Sequence, residues 1–210
     1  MRFLIIPICL ICCFASGQTI QTRIDSLKTE FPKVFKVPNE LESAVFESIL
    51  FYPELVDNII QFKEARISTT LNARPTIGSL LFRRKENRKY VVRINSMIAD
   101  SIISVYHLSE SAKKGILGHE FAHFADYETR NFLQVLSRAF SYLSKKRKAR
   151  FEKAIDTETI KRGLGKELYS WSYYVLYESN ATVEYKNFKR QTYLTPEEIK
   201  SIQPISIAPK

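Results

Sequence analysis

Apolar residues recur at helical spacing near the start of the chain and again through its second half, with shorter β-like segments between. After Pro38 the positions Leu41, Val45, Phe46, Ile49 and Leu50 fall on one helical face, with Asn39 as a cap, until "YPEL" breaks the pattern. From Asn58 to about Asn95 the segments "NIIQFKEARISTT", "TIGSLLF" and "KYVVRIN" are short and rich in β-branched or aromatic residues. They are separated by Pro75 and by the charged, turn-like "RRKENR". Three strands are predicted, the last two as an antiparallel hairpin, while "SIISVYHLS" fits strand and helix equally well.

Beyond Ser109 the pattern is helical almost to the end. Ser109 can cap a helix from about Glu110 to Tyr127, and the amphipathic "NFLQVLSRAFSYL" follows. A third helix is predicted over about Arg150 to Arg162, ending on Gly163 with Lys161 and Arg162 in a last turn where cations suit the dipole. A fourth spans roughly Lys166 to Lys186, and Thr195 caps a short terminal helix with Pro196 at its first position. A small, antiparallel-edged sheet followed by a helical block predicts an α+β fold. Without repeats, low-complexity tracts or long linkers, one domain is expected over residues 18–210.

The first residues, "MRFLIIPICLICCFASGQ", stand apart. A single Arg2, an apolar run from Phe3 to Phe14 too short to span a bilayer comfortably, and small residues at Ala15 and Gly17 read as a signal peptide over residues 1–17. Export to a periplasmic or extracellular space is the corresponding expectation. Cys9, Cys12 and Cys13 all lie in this segment, so the mature chain is expected to use neither disulfides nor cysteine metal ligands.

The composition of the whole chain is that of an ordinary globular protein, 45% hydrophobic and 26% charged, with a net charge of +10. That charge raises nucleic acid or anionic membranes as partners. No nucleic-acid reader motif accompanies it, which argues against a nucleic-acid partner. The stretch "FLQVLSRAFSYLSKKRKAR" joins Phe, Leu and Tyr to a dense cationic end, a pattern open to peripheral contact with an anionic membrane. The plainer reading is a core helix followed by a solvated terminus.

The chemistry concentrates in "GILGHEFAHFADYE", residues 115–128. Four residues apart on a helix, His119 and His123 can aim a ring nitrogen each at one point about 2 Å away, as tetrahedral zinc requires. Glu120 is turned by about 100° from His119 and so stands beside the metal, where a base acting on a metal-activated water belongs. Leu117, Phe121 and Phe124 form an apolar stripe roughly opposite the histidines, and Ala112, Gly115 and Ala122 are small residues expected to leave room for a cleft.

A catalytic zinc needs a third protein ligand. The places where a metzincin carries glycine and a third histidine are held by Asp126 and Thr129, which excludes that version; His107 precedes the motif. A carboxylate from a later helix is the natural donor. In "FEKAIDTETIKRG", Glu152 and Asp156 share a face at i, i+4, so Glu152 could bind metal while Asp156 orients a ligand histidine. Asp126, one turn beyond His123, is the competing ligand.

"HEFAH" followed downstream by ExxxD, here Glu152 to Asp156, resembles the gluzincin zinc metallopeptidases. The layout looks most like small members with a minimal catalytic domain, and like the soluble core of membrane peptidases that process prenylated or misfolded proteins. The resemblance covers about Lys89 to Gly165. It implies one zinc ion on His119, His123 and Glu152, with Glu120 activating water, Asp156 holding a histidine, and a peptide or protein substrate hydrolysed at the peptide bond. It also implies an edge strand, for which "KYVVRIN" is the candidate, that receives an extended peptide, and an oxyanion-stabilising residue. No histidine follows His123, which leaves Arg190 or Tyr193 for that role. The alternative is a zinc-binding structural or interaction protein that keeps the scaffold and does not cleave.

Overall fold

A computed structural model describes residues 20–84, 87–97 and 103–203. The segment read as a signal peptide, 1–17, lies outside the described residues. The fold is α+β. Helix α1 (Ile20–Glu30) and strand β1 (Val34–Phe35) precede the first predicted helix; α1 buries Ile24 and Leu27 although its sequence is polar on average. Asn39–Leu41 forms a 3₁₀ turn, and α2 (Glu42–Ile49) follows with Ala44, Val45, Phe46 and Ile49 in the core.

The sheet is made of β1, β2 (Ile59–Ala65), β3 (Leu71–Pro75) and β4 (Lys89–Asn95), in the order β1-β2-β4-β3. β1 and β4 run parallel to β2, and β3 runs antiparallel to β4 with Leu71 opposite Ile94. Alternate residues Ile60 and Phe62, Tyr90, Val92 and Ile94, and Leu71 and Ala73 bury one face of the sheet against the helices, the period of two expected of a pleated strand.

Two expectations are corrected here. "TIGSLLF" is not a strand: Ile77–Phe82 forms α3, held to the sheet by Ser79, whose hydroxyl donates to carbonyls of Thr76 and Lys89 and accepts the Lys89 N–H. A stretch as short as Ile77–Phe82 carries no periodicity that separates helix from strand, and this tether decides it. "KYVVRIN" is not an edge either. As β4 it lies between β2 and β3, and the edge is β3.

Helix α4 (Glu110–Glu128) is the hub, capped at Ser109, whose side chain accepts the Ala112 N–H. Its residues are buried nearly all round, so it lacks the single apolar stripe of a surface helix. Sheet, α2, α6 (Lys145–Thr159) and α7 (Gly165–Tyr173) all pack on it. The Tyr90 and Phe124 rings meet at 4.4 Å on the sheet side. On the α7 side, a Cβ added at Gly115 would lie 2.1 Å from the Glu167 carbonyl oxygen. Gly115 therefore permits helix–helix contact and does not open the cleft, contrary to the expectation from its small size; Ala122 is likewise fully buried.

Two of the remaining helices depart from their predicted limits. α5 (Phe132–Ser141) opens with an Asn131/Gln134 capping box. α6 begins five residues earlier than expected, and its last turn widens before Gly163, whose φ of 101° ends it. The predicted helix 166–186 is two helices, because the backbone turns extended at Ser179 and Thr182 caps α8 (Val183–Thr192) afresh. α9 (Pro196–Ile202) has the Thr195 cap and Pro196 start read from the sequence. No helix among the described residues is long and apolar enough to cross a membrane.

Candidate metal centre

Two helices build the site. α4 presents His119, Glu120 and His123, and α6, packed across it, presents Glu152 and Asp156. All five are buried, Glu152 and Asp156 to 2% exposure. His119 Nε2 and His123 Nε2 are 3.2 Å apart, and Glu152 Oε2 lies 3.2 and 3.3 Å from them. This group could bind a metal ion.

The donor chemistry fits a cation. His119 Nδ1–H donates to Asp156 Oδ1 at 2.7 Å, because a carboxylate can only accept; the lone pair of Nε2 is thereby turned toward Glu152 and His123. Glu152 Oε2 is buried without a hydrogen bond although two ring nitrogens face it. Three electron-rich atoms converging in a buried place need a positive charge between them. Without a metal that charge must be a proton. Burial opposes an imidazolium at His119, but the Asp156 and Glu152 carboxylates outweigh it and raise its pKa to about 10. Burial likewise works against an ionised Glu152, and the adjacent histidines overcome it, holding its pKa well below the usual carboxylate range.

The supporting contacts are specific. Asp156 Oδ2 accepts the Leu194 backbone N–H at 2.8 Å, so the carboxylate that holds His119 is itself fixed by the chain entering α9. The Tyr142 hydroxyl donates to Glu152 Oε1 at 2.9 Å; burial and the Glu152 charge both raise its pKa and keep it a donor. Phe151 packs on the His123 ring at 5.3 Å. His123 Nδ1 is buried without a partner.

These groups border one cavity. Glu120 lines it beside the histidines, with no hydrogen bond or ion pair of its own among the described residues. One wall is the edge-strand segment Thr69–Ala73, and another is apolar, with Ile116, Leu168, Trp171 and Val175. Tyr193 also lines the cavity, its ring 5.5 Å from that of His119, and burial raises its hydroxyl pKa well above the ordinary value.

Other candidates are placed elsewhere. Asp126 is held by Arg130 and Arg138 in paired hydrogen bonds of 2.7 to 3.0 Å and does not join the cluster. Arg190 bonds Asn187 on the exposed side of α8. His107 borders a separate depression with Tyr106 and Glu178. Tyr142, Lys148 and Lys189 border the cavity without having been read from the sequence as site residues. Lys148 could have been found by extending the i, i+4 row of Glu152 and Asp156 back one turn. Tyr142 lies in the turn after α5 and Lys189 on α8, and neither carries such a signal.

Compared with protein-family models, curated proteins and solved structures, the chain matches none.

Proposed function

We propose that this protein is a secreted zinc-dependent peptidase, with zinc on His119, His123 and Glu152 and with Glu120 as the general base. The observation that carries the reading is the convergence of three buried ligand atoms beside Glu120, which is unpaired among the described residues, in one cavity whose wall is a sheet edge. Soft-to-intermediate nitrogen donors with one carboxylate suit zinc. Bound zinc supplies Lewis acidity, which makes water a nucleophile near neutral pH and polarises a peptide carbonyl.

The protein's own groups supply the rest. Glu120 takes the proton from the attacking water and hands it to the leaving amine. Asp156 keeps His119 in the tautomer that offers Nε2, and Tyr142 holds the second oxygen of Glu152. Tyr193 is the better of the two oxyanion candidates, since it borders the cavity and Arg190 does not. An extended substrate would pair with β3 and seat an apolar side chain against Leu168, Trp171 and Val175.

The test is zinc analysis of the purified protein together with hydrolysis of an unfolded protein substrate by wild type and Glu120→Gln. The reading expects about one zinc per chain in both and a loss of at least 100-fold in rate for the variant. Full activity of Glu120→Gln would overturn the mechanism. Zinc binding with no hydrolysis by the wild type would instead favour a non-cleaving zinc protein.

A further inference from the structure

Helix α5 carries an apolar stripe that the described fold leaves uncovered. Leu133, Leu136 and Phe140, spaced by three and four residues, share one face of the helix, and Leu143 follows in the turn after it. Their exposures are 70%, 41%, 54% and 74%. The helix is pinned from its other side, by buried Val135 and by Arg138 bonded to Asp126. Helices of soluble domains turn such a stripe into the core, and one facing outward marks a contact surface.

The residues that follow define what the surface meets. α6 starts "KKRK", with Lys145, Lys146 and Arg147 exposed and outside any ion pair among the described residues. The positive end of a helix dipole favours anions, yet this first turn has no acidic residue and Ser144 makes no capping bond. Cations crowded onto a positive helix end are unfavourable until an anion joins them. The occupant must therefore offer both apolar volume and negative charge. Nucleic acid offers charge but no place for Leu133 or Phe140. A second copy offers an apolar stripe but repeats the +10 charge. An anionic bilayer surface offers both in one plane.

We propose that α5 and the first turn of α6 dock the protein on an anionic lipid surface, with Leu133, Leu136, Phe140 and Leu143 entering the boundary between headgroups and acyl chains. Lys145, Lys146 and Arg147 pair with lipid phosphates. Tyr142 lies within the docking segment and Lys148 just beyond it, and both border the metal-centre cavity, so docking places the lipid beside that cavity. This inference does not depend on the peptidase reading.

The test is co-sedimentation of the full chain with vesicles of phosphatidylcholine alone and of phosphatidylcholine with phosphatidylglycerol. Two double variants are compared in the same background, so the apolar N-terminal segment acts equally in each. Wild type should partition to the anionic vesicles and much less to the neutral ones. Lys145→Gln with Lys146→Gln should lower that partition about thirtyfold, and added salt should reduce the wild type similarly. Leu136→Ser with Phe140→Ser should lower it about tenfold or more while the thermal melt stays unchanged, since both side chains are exposed. Equal sedimentation of wild type and both variants overturns the proposal. So does a concentration-dependent dimer that the Leu136→Ser, Phe140→Ser pair abolishes without any lipid binding, or retention of a labelled oligonucleotide in place of vesicles.

Discussion

Asp156 bridges His119 and the backbone: one carboxylate oxygen receives His119 Nδ1–H at 2.7 Å and the other receives the Leu194 N–H at 2.8 Å. The orientation of an imidazole in the candidate metal centre is thus tied to a segment 38 residues further along the chain than Asp156. Asp156→Asn keeps the size of the side chain but frees the tautomer of His119. Zinc affinity, measured by competition with a chromophoric chelator, should fall about 10- to 100-fold.

Tyr142 supports the opposite corner of the site through Glu152 Oε1. Tyr142→Phe removes one donor and leaves the ring against Phe151. Zinc affinity should drop by about tenfold with little change in melting temperature, as expected of a group that positions a ligand carboxylate.

Variants of Glu152 and Asp126 test the proposed metal binding separately from stability. Glu152→Ala should abolish stoichiometric zinc in metal analysis. Asp126→Ala should retain zinc and instead destabilise the fold by about 1–3 kcal/mol, because Arg130 and Arg138 lose the carboxylate between them. Zinc lost with Asp126→Ala and kept with Glu152→Ala would reverse the ligand assignment.

Acid should report on the same Asp126. Burial alone raises its pKa, but hydrogen bonds from Arg130 and Arg138 prevail and hold it below the ordinary 3.8. The unfolded chain then binds more protons than the folded one as pH falls, so the Asp126 contribution is complete above its unfolded pKa and disappears as pH drops through the lower folded value. Denaturant titrations between neutral pH and about pH 3 should show wild type losing more stability than Asp126→Asn.

Two glycines on helices should respond oppositely to alanine. At Gly115 the new methyl meets the Glu167 carbonyl at 2.1 Å, so Gly115→Ala forces α4 from α7 and should cost about 2 kcal/mol or more. At Gly78, in α3, nothing lies within 4 Å, and Gly78→Ala should be neutral or stabilise by up to about 1 kcal/mol. Thermal melts of the two variants check both.

Helix periodicity was informative wherever a long segment buried a defined face. It located α4 and the Ser109 and Thr195 caps, because capping and i, i+4 spacing are local relations that survive without tertiary context. The same local rule put His119 with His123 and Glu152 with Asp156 in advance. What it could not supply was the distance between the two pairs. The packing of α6 across α4 brings Glu152 Oε2 to 3.2 and 3.3 Å from the histidines, while a pair of arginines draws Asp126 away. Short apolar runs were ambiguous for the same physical reason: "TIGSLLF" becomes helix through Ser79 and its bonds to β4, and "KYVVRIN" becomes an inner strand because β3 folds back beside it. Sequence alone determined which groups share a helix face and which residues can start a helix. Tertiary structure alone decided which faces meet, since ligand convergence, the sheet edge beside the cavity and the uncovered stripe on α5 depend on contacts between residues far apart in the chain.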